Sequence, residues 1–197
     1  HFQPKLFIRE DTFRKRMAHL KRHRYPVLPL HEALMLMDQD RLPLRALVIT
    51  FDDGWSGIGT KAAPVLQAYE FPSTLYVTTS DVVDETPVFD VALRYLIWKG
   101  RGSTLNMSFV GLDSETLVLD SPAEREHAAC RISDMGAGGN GEDKNKLLMR
   151  LADALGVDWN VIGSRLFRLM TLQQLAQLPA QGMDLQLHTH HHSLPIN

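Results

Sequence analysis

The segment that most constrains the fold comprises residues 47–54, an apolar run that ends in Asp52, Asp53 and Gly54. β-branched and large apolar residues in such a run predict a strand that is buried on both faces and carries polar side chains at its C-terminal end. In α/β folds the catalytic residues lie at that end of the strands. The segment therefore predicts an α/β protein with a site at the two carboxylates.

Asp52 and Asp53 can face one pocket only if the strand ends there, because successive side chains of a strand point to opposite faces. Gly54 tolerates the backbone dihedral angles that such a turn requires. Two carboxylates in one pocket repel each other, and a cation between them removes the penalty. We therefore expect a metal ion beside this pair.

A second cluster of ligands follows the apolar segment 183–187, which predicts another strand. Four of the nine histidines lie within residues 188–192. His188 and His192 are four residues apart, so a helical turn would place both imidazoles on one side. Two imidazoles and one carboxylate form a three-ligand site with open positions, as catalytic metals require.

The segments Thr50-Phe51-Asp52-Asp53-Gly54 and His188-Thr189-x-x-His192 together resemble the first two motifs of the polysaccharide deacetylase family, the carbohydrate esterases with a NodB-homology domain. The similarity extends to Phe13, His19-Leu20 and residues 25–34 and 71–78. The resemblance implies a distorted (β/α) barrel. It also implies a metal-dependent hydrolase that removes the N-acetyl group from an N-acetylated poly- or oligosaccharide.

Within this resemblance each site residue has an expected role. Asp53, His188 and His192 are the metal ligands, and Asp52 is the general base. Zn²⁺ is the expected ion, while Co²⁺, Mn²⁺ and Ni²⁺ suit the same ligands. Thr189 is expected to orient a ligand, and Trp55 either stacks on a sugar ring or packs the loop. The neighbouring histidines, 190 and 191, are interpreted as exposed or packed, without metal.

The composition excludes several classes of function. A formal net charge of −2 gives no electrostatic argument for nucleic-acid binding. The single cysteine excludes an internal disulfide framework. No apolar run is long enough to span a membrane. No signal peptide is visible, so localisation stays open with the cytoplasm favoured over the periplasm, and the oligomeric state is not predicted. Residues 11–23 predict a surface helix whose basic side could contact an anionic polymer but is interpreted as solvated.

The chain is interpreted as one domain, residues 1–197, with a helical and hairpin elaboration at about 80–170. Within the elaboration we predict helices at 87–99, 122–134 and 142–155 and a hairpin across 104–119. Outside it, the strand at 73–79 completes a parallel βαβ unit with the acidic strand. Thr171 begins a further helix with a capping box.

Two later motifs of the family, an Arg-Pro-aromatic segment and a Leu-x-His segment, have no counterpart in these 197 residues. We therefore expect a barrel that is incomplete at the C-terminus of this chain, and metal binding with weak or absent turnover. Two alternatives stay open. One is a hydrolase of a cyclic amide or formamide on the same scaffold, and the other is a non-catalytic protein that binds metal or carbohydrate.

Overall fold

The computed structural model describes residues 7–190, which form two compact units. Residues 7–83 and 169–190 form the first unit, and residues 84–168 form the second. Both contain helices and strands, so the predicted α/β class is confirmed. Within residues 7–190 no helix combines the length and the apolar character that crossing a membrane requires.

Helices outnumber strands along the described chain. In order they are α1 Glu10–Arg22, α2 Leu30–Asp38, β1 Thr50–Asp53, α3 Ala63–Tyr69, β2 Ser73–Val77, α4 Thr79–Asp84, α5 Phe89–Lys99, β3 Thr104–Asn106, β4 Thr116–Val118, α6 Pro122–Gly136, α7 Gly141–Ala154, α8 Trp159–Ile162, α9 Leu172–Leu175 and β5 Met183–Leu187. A π-helical turn, Ile58–Ala62, leads directly into α3.

A parallel three-stranded sheet in the order β1-β2-β5 organises the first unit. The predicted βαβ unit is confirmed, because α3 connects two neighbouring parallel strands. The register aligns Asp53 with Val77, and Val77 with Leu187. The three strands therefore end at the same level, and the residues that follow them meet at one edge. Within the described residues the sheet is not closed.

The acidic strand is less buried than predicted. Thr50 and Asp52 are exposed, while Phe51 and Asp53 are half-buried, so the prediction of a strand buried on both faces is wrong. β1 is an edge strand of the three-stranded sheet. Within residues 7–190, the pairing on its outer side is limited to an isolated parallel bridge between Val27 and Leu47, just before β1. The strand with both faces covered is the central β2.

Helices α1 and α3 bury apolar residues at helical spacing, whereas α2 leaves Leu34 and Met37 exposed. Phe13 and Met17 are the buried residues of α1, and Val65 and Leu66 are almost fully buried in α3. The capping box that starts α9 is confirmed, since Thr171 and Gln174 exchange hydrogen bonds between side chain and backbone. These contacts fix the positions of the strands whose ends carry the candidate site.

The second unit packs helices around an antiparallel hairpin. β3 and β4 form the predicted hairpin, and α5, α6 and α7 match the predicted helices with ends shifted by one or two residues. Its core contains side chains with 0% exposure, among them Leu96, Ile132 and Leu151. The unit covers residues 84–168, and its status as an elaboration of a single domain stays a prediction.

Candidate active site

The register of the sheet brings remote segments together at its C-terminal edge. Asp53 ends β1, Thr78 follows β2 and His188 follows β5. The backbone N–H of Thr78 donates to the Asp53 carbonyl at 3.1 Å, and that of His188 donates to the Val77 carbonyl at 2.8 Å. Because β2 lies between the other two strands, the backbones of Asp53 and His188 are about 10 Å apart. Their side chains can meet only by reaching across the end of β2.

The side chains of Asp53 and His188 do meet there. Nε2 of His188 lies 3.9 Å from Oδ1 of Asp53. The Asp53 side chain is 23% exposed and the His188 side chain 35% exposed, so both are partly shielded and still reachable from solvent. The first and second motifs predicted from the sequence therefore contribute to one location, as the family resemblance requires.

The turn after β1 begins one residue earlier than the sequence suggested. Asp53 itself has φ 69° and Gly54 has φ 100°, so two consecutive residues leave the extended conformation. Aspartate is among the side chains that tolerate the left-handed region. The Gly54 N–H donates to the Asp52 carbonyl at 2.9 Å, and the Gly54 carbonyl accepts from Met170 N–H at 2.8 Å. The loop that carries the carboxylates is therefore anchored by backbone hydrogen bonds.

Both oxygens of the Asp53 carboxylate have protein partners. Nε1 of Trp55 donates to Oδ2 at 3.2 Å, and the Thr78 hydroxyl lies 3.4 Å from Oδ1. The same hydroxyl lies 3.4 Å from the His188 carbonyl oxygen, and its single proton can be donated to one of the two acceptors at a time. Trp55 thus contacts a predicted ligand directly through its indole N–H.

Thr78 is a site residue that the sequence analysis did not identify. It is 2% exposed, and its hydroxyl faces both Asp53 and His188. A buried hydroxyl requires a hydrogen-bond partner. The signal that could have revealed it is positional, because Thr78 directly follows the strand paired with the acidic strand.

The two carboxylates open onto one cavity of about 570 Å³ in the first unit. Its polar wall includes Asp52, Asp53 and His188, and Asp52 is exposed. The remaining wall is mainly apolar or aromatic, from Phe7, Ile8, Phe13, Phe51, Trp55, Gly57, Ile58 and Ala62, with Glu10 and Lys61 completing the lining. The geometry therefore places both predicted carboxylates and one predicted histidine around one volume.

A charged pair forms part of the cavity wall. One carboxylate oxygen of Glu10 lies 3.3 Å from Nζ of Lys61, and the other accepts a hydrogen bond from the Arg14 guanidinium at 2.9 Å. The hydrogen bond from Arg14, and then that from Lys61, holds the pKa of Glu10 below its usual value. Glu10 is therefore ionised at neutral pH and balances Lys61.

The histidine segment begins without a helical turn. Residues 188–190 are not helical, and Thr189 has φ 65° in the left-handed region. The Thr189 carbonyl accepts from Thr79 N–H at 3.4 Å, and Nδ1 of the exposed His190 lies 2.8 Å from the Thr79 hydroxyl. His191 and His192 lie outside the described residues. The roles of His192 as a ligand and of Thr189 in orienting a ligand stay predictions.

The described residues supply two of the three predicted metal ligands. Within residues 7–190 no group of three His, Cys, Asp or Glu side chains converges on one point. Oxygen and nitrogen ligands of a tetrahedral zinc ion lie about 3.4 Å apart. The observed 3.9 Å between Asp53 and His188 differs by about half an ångström, which a small side-chain rotation covers. The pair therefore fits two positions of such a centre.

The fold and the site define an α/β protein whose parallel sheet gathers carboxylates and an imidazole at its C-terminal edge. Residues 39–103 match the family model described as polysaccharide deacetylase. Over these residues the chain is similar to that family, so the resemblance drawn from the motifs is confirmed. The match contains Asp52 and Asp53 and ends before the histidine segment.

Two relatives are the proteins named poly-β-1,6-N-acetyl-D-glucosamine N-deacetylase from Staphylococcus aureus strains MSSA476 and MRSA252. Each is 31% identical over 78 residues, which is 40% of this chain and 27% of the relative. The chain thus matches little more than a quarter of these relatives' length. The solved BpsB deacetylase domain from Bordetella bronchiseptica aligns with 88% of this chain and 42% of its own, at 17% identity and a TM-score of 0.42.

Proposed function

We propose that this chain carries the metal and base portion of a deacetylase site that hydrolyses the N-acetyl group of an N-acetylated poly- or oligosaccharide. The observation that carries the proposal is the 3.9 Å approach of His188 to Asp53 beside a cavity that Asp52 also lines. The family match over residues 39–103 supports the same reaction class. The relatives' names support an N-acetylglucosamine polymer as the substrate.

In this proposal Asp53, His188 and His192 hold one divalent cation, with Zn²⁺ expected first. When bound, such an ion polarises a substrate carbonyl and lowers the pKa of water. Asp53 is suited to this role because Trp55 and Thr78 restrain its carboxylate from two sides. Partners of this kind fix the orientation of a ligand and raise metal affinity.

Asp52 is the proposed general base. It lies next to the ligand Asp53, lines the same cavity and is exposed, so water reaches its carboxylate. It accepts one proton from the water that attacks the amide carbonyl carbon. The C–N bond then breaks, the proton passes to the leaving nitrogen, and one water is consumed for each acetate and each free amine released. The apolar side chains around the cavity limit the access of other water to the reacting groups.

The parallel sheet supports the proposed architecture. We place β1, β2 and β5 within a distorted (β/α) barrel, where catalytic residues are found at the C-terminal ends of several strands. Asp53 and His188 occupy this position on two different strands. The order β1-β2-β5 leaves the outer edge of β5 available for the next strand of such a barrel within the described residues.

Metal binding is tested by titrating the chelator-treated protein with Zn²⁺ in competition with a metal-sensitive dye. We expect one ion per chain, and loss of binding by at least tenfold in both Asp53→Asn and His188→Ala. Asp184→Asn is the matched control, because Asp184 is an exposed strand aspartate outside the cavity lining. Binding that survives both site variants would contradict the metal assignment.

Catalysis is tested by acetate release from N-acetylglucosamine oligomers, with cyclic amides and formamides assayed in parallel. We expect Asp52→Asn to lower kcat/KM by ~10² to 10⁴ while the ion still binds. Turnover confined to the small amides would favour the alternative hydrolase. Metal binding without any turnover would favour a non-catalytic protein. Acetate release that is unchanged in Asp52→Asn would refute the proposed base.

A further inference from the structure

Helix α1 and its C-cap residue carry a strip of Lys, Arg and His side chains on the side opposite the buried residues of the helix. The strip consists of Lys15, Arg16, His19, Arg22 and His23, which we call the basic face. At 100° per residue these five side chains lie within an arc of about 120°. All five are exposed. They extend about 12 Å along the helix axis, so the basic face is a continuous surface.

Among the residues that the structure describes, no carboxylate forms a salt bridge with Lys15, Arg16 or Arg22, although the charge of Lys15 helps to lower the pKa of Asp11. The neighbouring acids pair elsewhere: Glu10 with Arg14 and Lys61, Asp11 with Arg9, and Glu70 with Lys21. Residues 9–24 contain seven Lys or Arg and two Asp or Glu, although the whole chain has a net charge of −2. The positive charge is therefore concentrated here, and Asp11 offsets it only at the Lys15 end of the basic face.

The surroundings of the basic face distinguish between classes of polyanion. Phe13 and Met17 are buried and Leu20 is half-buried, so α1 has no exposed large apolar residue that could insert between lipid chains. The face has no Trp, Tyr or Phe on which nucleic-acid bases could stack, and the nearby Tyr25 is half-buried with its ring 6.2 Å from His19. A surface of cations and imidazoles without exposed apolar or aromatic side chains suits a polymer of sugars that carries carboxylate, sulfate or phosphate groups.

We propose that the basic face of α1 is a binding surface for an anionic polysaccharide. Lys15, Arg16 and Arg22 would each contact one negative group. His19 and His23, whose ring centroids are 4.3 Å apart, provide N–H donors between them. The proposal is independent of the deacetylase site, because none of these five side chains lines the cavity beside Asp53.

The experiment measures the affinity of the chain for a fluorescent heparin octasaccharide at several salt concentrations. The test variant combines Lys15→Gln, Arg16→Gln and Arg22→Gln. Its matched control combines Arg45→Gln, Lys99→Gln and Arg150→Gln, which removes three exposed cations from elsewhere. Circular dichroism verifies that both variants keep their helices. Anionic phospholipid vesicles and oligothymidine are titrated as competing ligands.

We expect the test variant to bind heparin roughly a hundredfold more weakly, at about fivefold for each lost charge. In a plot of log affinity against log salt concentration, the test variant should have a slope smaller in magnitude by about 2, at roughly 0.7 for each neutralised group. The control variant should stay within threefold of the parent. Equal losses in the two variants would overturn the proposal, as would tighter binding of vesicles or oligothymidine than of heparin.

Discussion

Replacing Trp55 by phenylalanine should weaken metal binding without unfolding the loop. The substitution removes the indole N–H that donates to Oδ2 of Asp53 at 3.2 Å. It keeps an aromatic ring for the edge-to-face contact with Phe7, whose ring centroid is 5.9 Å away. The change therefore isolates one hydrogen bond to a proposed ligand from the packing of the side chain.

The expected magnitude follows from the geometry of that bond. A hydrogen bond to a charged group contributes about 1.5–3 kcal/mol. The distance of 3.2 Å is at the long end for N–H···O, and the Asp53 side chain is 23% exposed, so a value at or slightly below the lower limit of the range applies. A loss of about 1–1.5 kcal/mol corresponds to a dissociation constant roughly five- to tenfold higher.

The assay is competition for Zn²⁺ between the protein and a chelating dye at fixed pH. Trp159→Phe is the matched control, because it makes the same chemical change in the second unit. A Trp55→Phe protein that binds Zn²⁺ within twofold of the parent would refute the role assigned to the indole. Equal weakening in both variants would show a general effect of losing a tryptophan.

Three further predictions test other contacts. Thr78→Val should weaken Zn²⁺ binding less than threefold in the same assay, because a hydroxyl 3.4 Å from its acceptors makes a weak hydrogen bond; a loss above tenfold would contradict this ranking. The N–H of Ser121 holds the pKa of Glu124 below 4.5, so the stabilisation is complete above that pH and is lost as the pH falls through the folded-state pKa. Glu124→Gln should therefore lower the Tm at pH 7 and have no effect in strong acid, and a Tm difference of equal size at both pH values would count against the linkage. Leu96→Ala should cost about 2–5 kcal/mol in urea unfolding, whereas Leu166→Ala, at a side chain 72% exposed, should cost less than about 0.5 kcal/mol; similar costs would contradict the assigned core.

Local sequence patterns predicted most of the helices and strands. The strand Met183–Leu187, the hairpin β3-β4 and the capping box at Thr171 all depend on neighbouring residues, and the structure confirms each. The exposure of β1 was predicted wrongly. Its composition is that of a buried strand, but burial depends on which elements cover it, and that is decided by strand order.

In the candidate site, too, some residues were predicted from local patterns and one depends on the strand order. Asp53 and His188 were identified from their motifs, and the structure places them 3.9 Å apart. Thr78 was missed because no local pattern marks a threonine after a strand as part of a site. Its contact with both residues exists only because β2 lies between β1 and β5.

The sequence by itself determined, to within one or two residues, where the strands end and which chemical groups lie there. Periodicity and turn chemistry act over a few residues, so they can be recognised without a fold. Only the tertiary structure decided that β2 separates the acidic strand from the histidine strand and aligns their ends. That arrangement depends on packing between segments remote in the chain, and it alone places Asp53, Thr78 and His188 at one edge of the sheet.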